Sequence, residues 1–167
     1  PDSLTATKVV KNNLLINSIR FLCNYVYSKV DIIVVLSYGF QKHLNLIGVR
    51  EEKIRVVRNW TFESKFAYPK NYKLSKKFIL SKNFKILFAG NIGKAQDIKT
   101  IIDAAKIVYE KKVLVDFFIV GDGIEKETLG RYLKKKNINN FYFLKAVSSD
   151  KVGNYLKYSD AFLIHLI

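Results

Sequence analysis

Methionine is absent from this 167-residue chain, cysteine occurs once, proline twice, and no apolar run is long enough to cross a bilayer. Each scarcity excludes something. The single Cys23 rules out an internal disulfide and a cysteine-based metal cluster, and it suits a reducing compartment. The longest apolar runs break within a few residues, short of the roughly 20 a spanning helix needs. No signal-peptide pattern is visible either. Because the sequence begins at Pro1, lacks methionine and stops on the apolar run "DAFLIHLI", we expect an interior piece of a longer protein.

Acids are scarce as well: 14 Asp and Glu stand against 29 Lys and Arg, for a net charge of +15. Residues 1–83 hold 15 basic residues and 5 acids, whereas residues 84–167 hold 14 and 9. Two origins stay open for this excess. One is a lysine- and asparagine-rich composition with no functional meaning, and the other is attraction to anionic lipid or to phosphate-bearing ligands.

What is present supports a packed core, since 49% of residues are hydrophobic and 14% aromatic. In "KVVKNNLLINSIRFLCNYVYSK" (8–29) the helical period sets Leu15, Ile19, Leu22 and Val26 on one face and Asn13, Asn17, Arg20, Asn24 and Ser28 on another. "DIIVVLS" (31–37) reads as a strand buried on both faces, "YGFQKHLNLIG" as a short helix closed by Gly48, and "KIRVVRN" (53–59) as a second strand. The pattern breaks between Trp60 and Asn83, which we read as an irregular linker with a short helix in "KKFILSKN".

From Phe84 onward strands are expected at 85–89, 114–120, 141–144 and 161–166, with helices at about 97–111, 124–136 and 150–158 between them. Such alternation implies an α/β class with a parallel sheet, half of a doubly wound domain. Ligands of these sheets sit beyond the carboxyl ends of the strands. Three loops lie there: "FAGNIGKAQD" (88–97), "VGDGIE" (120–125) and "LKAVSSD" (144–150). Glycine at such a turn serves tight geometry and close approach of a phosphate equally well, so spacing leaves both readings open. Asp97 and Ser148 or Ser149 read as helix caps, and His43 and His165 as an exposed and a core residue without a catalytic partner.

Taken in order, "PDSL" with its amphipathic helix, "DIIVVLS", "EEKIRVVRNW", "ILFAGNIGKAQDIKTIIDAA", "FFIVGDGIEKETL" and "VSSDKVGNYLKYSDAFLIHL" resemble the retaining glycosyltransferases of family 4. The resemblance implies a GT-B fold of two Rossmann-like layers, both incomplete here. Residues 1–59 would end the acceptor domain, 60–83 would link, and 84–167 would begin the nucleotide-sugar domain. It also implies transfer from a nucleotide diphosphate sugar, most simply UDP-linked, to a glycan or lipid-linked acceptor in surface polysaccharide synthesis, without a metal or other cofactor. Donor contacts would fall at Gly90, Asn91, Gly93, Lys94, Gln96, Gly121 and Gly123, with the backbone of Val147 at the base; Asn59 would shape the hinge. Many members carry Arg and Lys where this chain has Asn91 and Gln96. The acids that grip the donor sugar, and the acid/base candidates of the first domain, would lie outside residues 1–167, so the isolated chain is expected to be inactive.

Such an enzyme would work in the cytoplasm, and two readings stay open for its basic first half. Either the helix at 8–29 tethers it to the anionic inner face of a membrane, or it packs its apolar stripe into the acceptor domain and the lysines are simply solvated. A catalytically inactive nucleotide-binding remnant, or one half of a split enzyme, is the alternative reading. Nucleic acid is not expected as a partner, because the aromatics occupy core positions.

Overall fold

The computed structural model describes residues 13–61 and 72–166. The chain forms two compact units, Pro1–Thr61 and Phe62–Ile167.

In the first unit, helix α1 (Asn13–Lys29) leads to strand β1 (Ile33–Val35), helix α2 (Tyr38–Leu46) and strand β2 (Ile54–Val56). The strands pair in parallel, Ile33 opposite Ile54 and Val35 opposite Val56. Val35, Leu44 and Ile54 form the core, with Tyr27, Ile33, Val49 and Val56 packed around them. Ser37 caps α2 by accepting from the Phe40 N–H at 3.3 Å. Gly48, at φ 92°, ends the helix in the left-handed conformation that glycine adopts at no steric cost. Lys53 donates to the carbonyls of Ser28 and Val30 at 2.9 and 2.8 Å, placing a cation at the carboxyl end of α1.

Two expectations change here. The face α1 turns inward carries Ile16, Ile19, Cys23 and Tyr27, while Leu15, Leu22 and Val26 of the expected stripe are exposed. A search for aliphatic residues overlooks Cys23 and Tyr27, which bury well despite their polar atoms. In β1 only one side is covered: Val35 is buried, whereas Val34 points away from the cluster and is exposed.

The second unit contains helix α3 (Lys76–Leu80), strand β3 (Phe84–Ala89), helix α4 (Ile98–Glu110), strand β4 (Val115–Val120), helix α5 (Lys126–Lys135), strand β5 (Phe141–Leu144), helix α6 (Ser149–Lys157) and strand β6 (Ala161–Phe162). All four strands are parallel, in the order β5-β4-β3-β6. The alternation of side chains along β3 and β4 builds a core on each face. Phe88, Phe117 and Ile119 meet Ile98, Ile101, Ile102 and Leu129 of α4 and α5. On the other face Leu87, Phe118 and Val120 meet Phe78 of α3 and Tyr155 of α6. This is the Rossmann-like α/β arrangement the alternating sequence pattern implies.

The last strand is shorter than expected, ending at Phe162, with exposed Ile164 and Leu166 beyond it. A larger difference concerns the segment read as a linker. Tyr72, Leu74 and Phe78 belong to the core of the second unit, and Phe78 is fully buried. Ser81 and Asn83 donate to the buried Asp116 carboxylate at 2.6 and 3.2 Å, fastening this segment to β4. Its lysines hide the pattern, because Lys73, Lys76 and Lys77 face solvent while every fourth or so residue turns inward. The rest of the expected linker, 62–71, lies outside the described residues.

Candidate donor-binding site

Register places the site. Ala89 pairs with Val120 and Val120 with Leu144, so β3, β4 and β5 end on one line and their loops rise side by side. The loops lead into α4, α5 and α6, whose N-termini present partial positive charge at the same sheet edge.

The first two loops are joined by their backbones. The Gly90 N–H donates to Val120 O at 3.0 Å, Ile92 N–H to Asp122 O at 2.8 Å, and Glu125 N–H to Ile92 O at 3.1 Å. Ile92 is fully buried between them. The third loop is tied in by Lys126, whose ammonium donates to Gly121 O at 2.7 Å and Leu144 O at 3.3 Å, with Asp122 3.9 Å away. Sequence reading missed Lys126. A signal existed: a lysine at the first position of a helix opposes the dipole, so it needs another partner.

The glycines divide into two kinds. A Cβ on Gly121 would lie 1.9 Å from Gly90 O, and one on Gly123 would lie 2.4 Å from Ile92 O, where φ is also +157°. The fold itself demands glycine at both. At Gly90, by contrast, a Cβ would meet only the Phe88 ring at 3.4 Å, φ is ordinary and the residue is exposed. Gly93 is intermediate, since its Cβ would press on the flexible Asn91 side chain at 2.7 Å.

Between Gly90 and α4 a single 3-10 turn, Lys94–Gln96, runs into Asp97. The N–H groups of Asn91, Gly93, Lys94 and Ala95 have no hydrogen-bond partner among the described residues. Lys94 is exposed, and the Asn91 amide donates to Gln96 Oε1 at 3.4 Å. His165 is half-buried and bonds the Gln96 carbonyl through Nδ1 at 2.9 Å, so it is a satisfied residue whose Nδ1 carries the proton. Val147 is half-buried against the Phe78 cluster. Ser148 precedes α6, and its hydroxyl engages Asp150, holding that carboxyl below its usual range. Asn59 and His43 belong to the first unit, and both are exposed.

Asp97 occupies the cap position of α4 but does not cap a backbone N–H; its carboxylate accepts from the Thr100 hydroxyl at 2.5 Å. Its backbone is left-handed, at φ 36° and ψ 53°. Asp97→Gly is therefore expected to lie within about 1 kcal/mol of wild type, losing one hydrogen bond but gaining an unstrained turn. Asp97→Val should cost roughly 2 kcal/mol, because a branched Cβ is most disfavoured there. Thermal denaturation compares them, and equal midpoints would contradict the strain.

The family profile described as "Glycosyl transferases group 1" matches residues 71–166, more than half of the chain. The chain belongs to this family. Among curated relatives it is 27% identical over 139 residues to WcaI of Escherichia coli (strain K12), a glycosyl transferase provisionally named for colanic acid biosynthesis; the match covers 81% of this chain and 34% of WcaI. This chain thus corresponds to about a third of that relative's length. Among solved structures, Anabaena HepE in complex with UDP and glucose shares 18% identity at a TM-score of 0.66, covering 88% of this chain and 41% of HepE. Sucrose-phosphate synthase from Thermosynechococcus elongatus shares 14% identity at a TM-score of 0.71, covering 97% and 42%. These likenesses show the fold, the Rossmann-like layers of GT-B glycosyltransferases. The profile covers all three loops and α3, but not the first unit.

Proposed function

We propose that the second unit binds the diphosphate of a nucleotide sugar, UDP-linked, over the loops at 90–97 and 121–125, and that the whole protein transfers the sugar with retained configuration. Gly90 carries this reading. It directly follows β3, at the sheet edge from which the loops lead into three helices, and no neighbour in the fold requires it to lack a side chain. A ligand approaching the backbone does require that.

The chemistry follows from the loop. As the bond from the anomeric carbon to the diphosphate oxygen breaks, negative charge gathers on the departing nucleotide. The N–H groups of Asn91, Gly93, Lys94 and Ala95, the α4 dipole and the Lys94 ammonium are the positive groups at hand. In this reading the transfer needs no metal, and charge compensation falls to the chain's own donors. Gly121, Gly123 and Lys126 act one step back, by holding the loop in place, and the Val147 backbone is assigned to the edge of the base. The HepE complex with UDP supports a UDP-linked donor, and the colanic acid biosynthesis in the name of WcaI supports a glycan acceptor; a lipid-linked acceptor in surface polysaccharide synthesis and a cytoplasmic location complete the proposal.

Gly90→Val tests the site. In the intact protein it should lower UDP affinity at least about tenfold in calorimetry, because a branched side chain would fill the phosphate approach, while circular dichroism stays unchanged. Unchanged affinity would refute the placement. The neutral Asn91–Gln96 pair favours one other reading, a nucleotide-binding protein without turnover, since uncharged donors stabilise a leaving diphosphate less than charged ones. UDP binding without sugar transfer in the intact protein would establish it.

A further inference from the structure

At the opposite edge of the second unit, where the strands begin, the surface is apolar and basic together. Phe84 N–H donates to Leu114 O at 2.9 Å, so the start of β3 and the turn before β4 lie side by side. Leu80 and Leu114 are 74% and 72% exposed, and Val113 and Phe84 are 53% and 49% exposed. Exposed lysines surround them: Lys82, Lys111 and Lys112, with Lys77 set 4.5 Å over the ring of Tyr142. An open groove of about 510 Å³ between Tyr109, Leu114, Asn139 and Tyr142 continues the surface. The neighbouring carboxylates are engaged, Glu110 with Lys106 at 3.3 Å and the buried Asp116 with Ser81 and Asn83.

The turn itself is unusual. Lys112 N–H bonds Tyr109 O and Val113 N–H bonds Val108 O, at 2.9 and 3.2 Å, the paired bonds that close a helix around a left-handed residue. That residue is Lys112, at φ 56°, where glycine would be lower in energy. A strained lysine thus leads straight into two outward-facing aliphatic residues.

We propose that this edge is a membrane-contact surface, with Leu80, Phe84, Val113 and Leu114 entering the headgroup layer of an anionic bilayer and Lys77, Lys82, Lys111 and Lys112 pairing with its phosphates. Large aliphatic tips ringed by lysines match that layer in both respects: the apolar tips reach the acyl boundary and the ammonium groups stay among the headgroups. Charge complementarity favours lipid over a second copy of this basic chain, which would bring lysines against lysines. The surface is distinct from α1, where the sequence alone suggested a tether, and the inference does not depend on the donor site.

Co-sedimentation of the intact protein with vesicles tests it, comparing phosphatidylcholine alone with phosphatidylcholine mixed with phosphatidylglycerol. Binding to the mixed vesicles only, reversed by salt, is expected. Lys111→Glu with Lys112→Glu should weaken partitioning about tenfold or more, and Val113→Ser with Leu114→Ser should do likewise. Lys112→Gly should weaken it several-fold without lowering the melting temperature, which separates lipid contact from misfolding. Phe21→Ser with Leu22→Ser in α1 should leave it intact. Loss only with the α1 pair, equal binding to both lipids, or self-association in sedimentation velocity that the edge variants abolish would each overturn the proposal.

Discussion

Gly121→Ala is expected to destabilise the second unit by roughly 3 kcal/mol or more, the range reached when a buried position is overpacked against backbone. The added methyl would sit 1.9 Å from Gly90 O. That carbonyl has little room to move away, because Gly90 N–H is held by Val120 O and Ile92 is pinned on both sides by Asp122 and Glu125. Relief therefore requires the two loops to separate, which would also displace the Gly90 backbone assigned to the diphosphate. Gly90→Val is the contrasting case, since a Cβ there would meet only the Phe88 ring, at 3.4 Å, and it should fold normally. Amide hydrogen exchange along β4 measures the difference. Wild-type protection in Gly121→Ala would mean that the close approach of these loops is not what requires glycine at 121.

This contrast shows where sequence stops being informative. "FAGNIGKAQD" and "VGDGIE" each announce a strand-to-helix turn, and their order along the chain carried the resemblance to glycosyltransferases. Which glycine serves the fold and which is free to serve a ligand depends on Gly90 lying against Gly121, residues 31 positions apart whose contact no local pattern encodes. Lys126 is similar: its partners Gly121 O and Leu144 O are carbonyls, and a backbone acceptor leaves no trace in composition. The strands and helices of the second unit are legible because β3 and β4 each hold a four-residue apolar run, 86–89 and 117–120, and α4 repeats its buried Ile98, Ile101, Ile102 and Ala105 at helical spacing. In α1 the same rule chose the neighbouring face, because Cys23 and Tyr27 count as half-polar in sequence yet turn inward in the fold.

Phe78→Ala is expected to cost the second unit about 3–5 kcal/mol, a buried-core value, although it lies in a segment that reads as a lysine-rich linker. Phe78 has no exposed surface, and its ring meets those of Phe118 and Tyr155 edge-on at centroid distances of 4.9 and 5.0 Å. Edge-to-face pairs contribute beyond area burial, so truncation removes two aromatic contacts as well as leaving a cavity. The five-residue α3 cannot hold itself together as an isolated helix, and it therefore depends on this ring and on the Ser81 and Asn83 bonds to Asp116. Urea unfolding followed by exchange of the β4 and α6 amides reports on this unit separately from the first. A loss below about 0.5 kcal/mol, the range for surface substitutions, would return residues 72–83 to the role of a solvated connection. A core-sized loss would instead begin the structured unit ahead of β3, consistent with the family profile starting at residue 71.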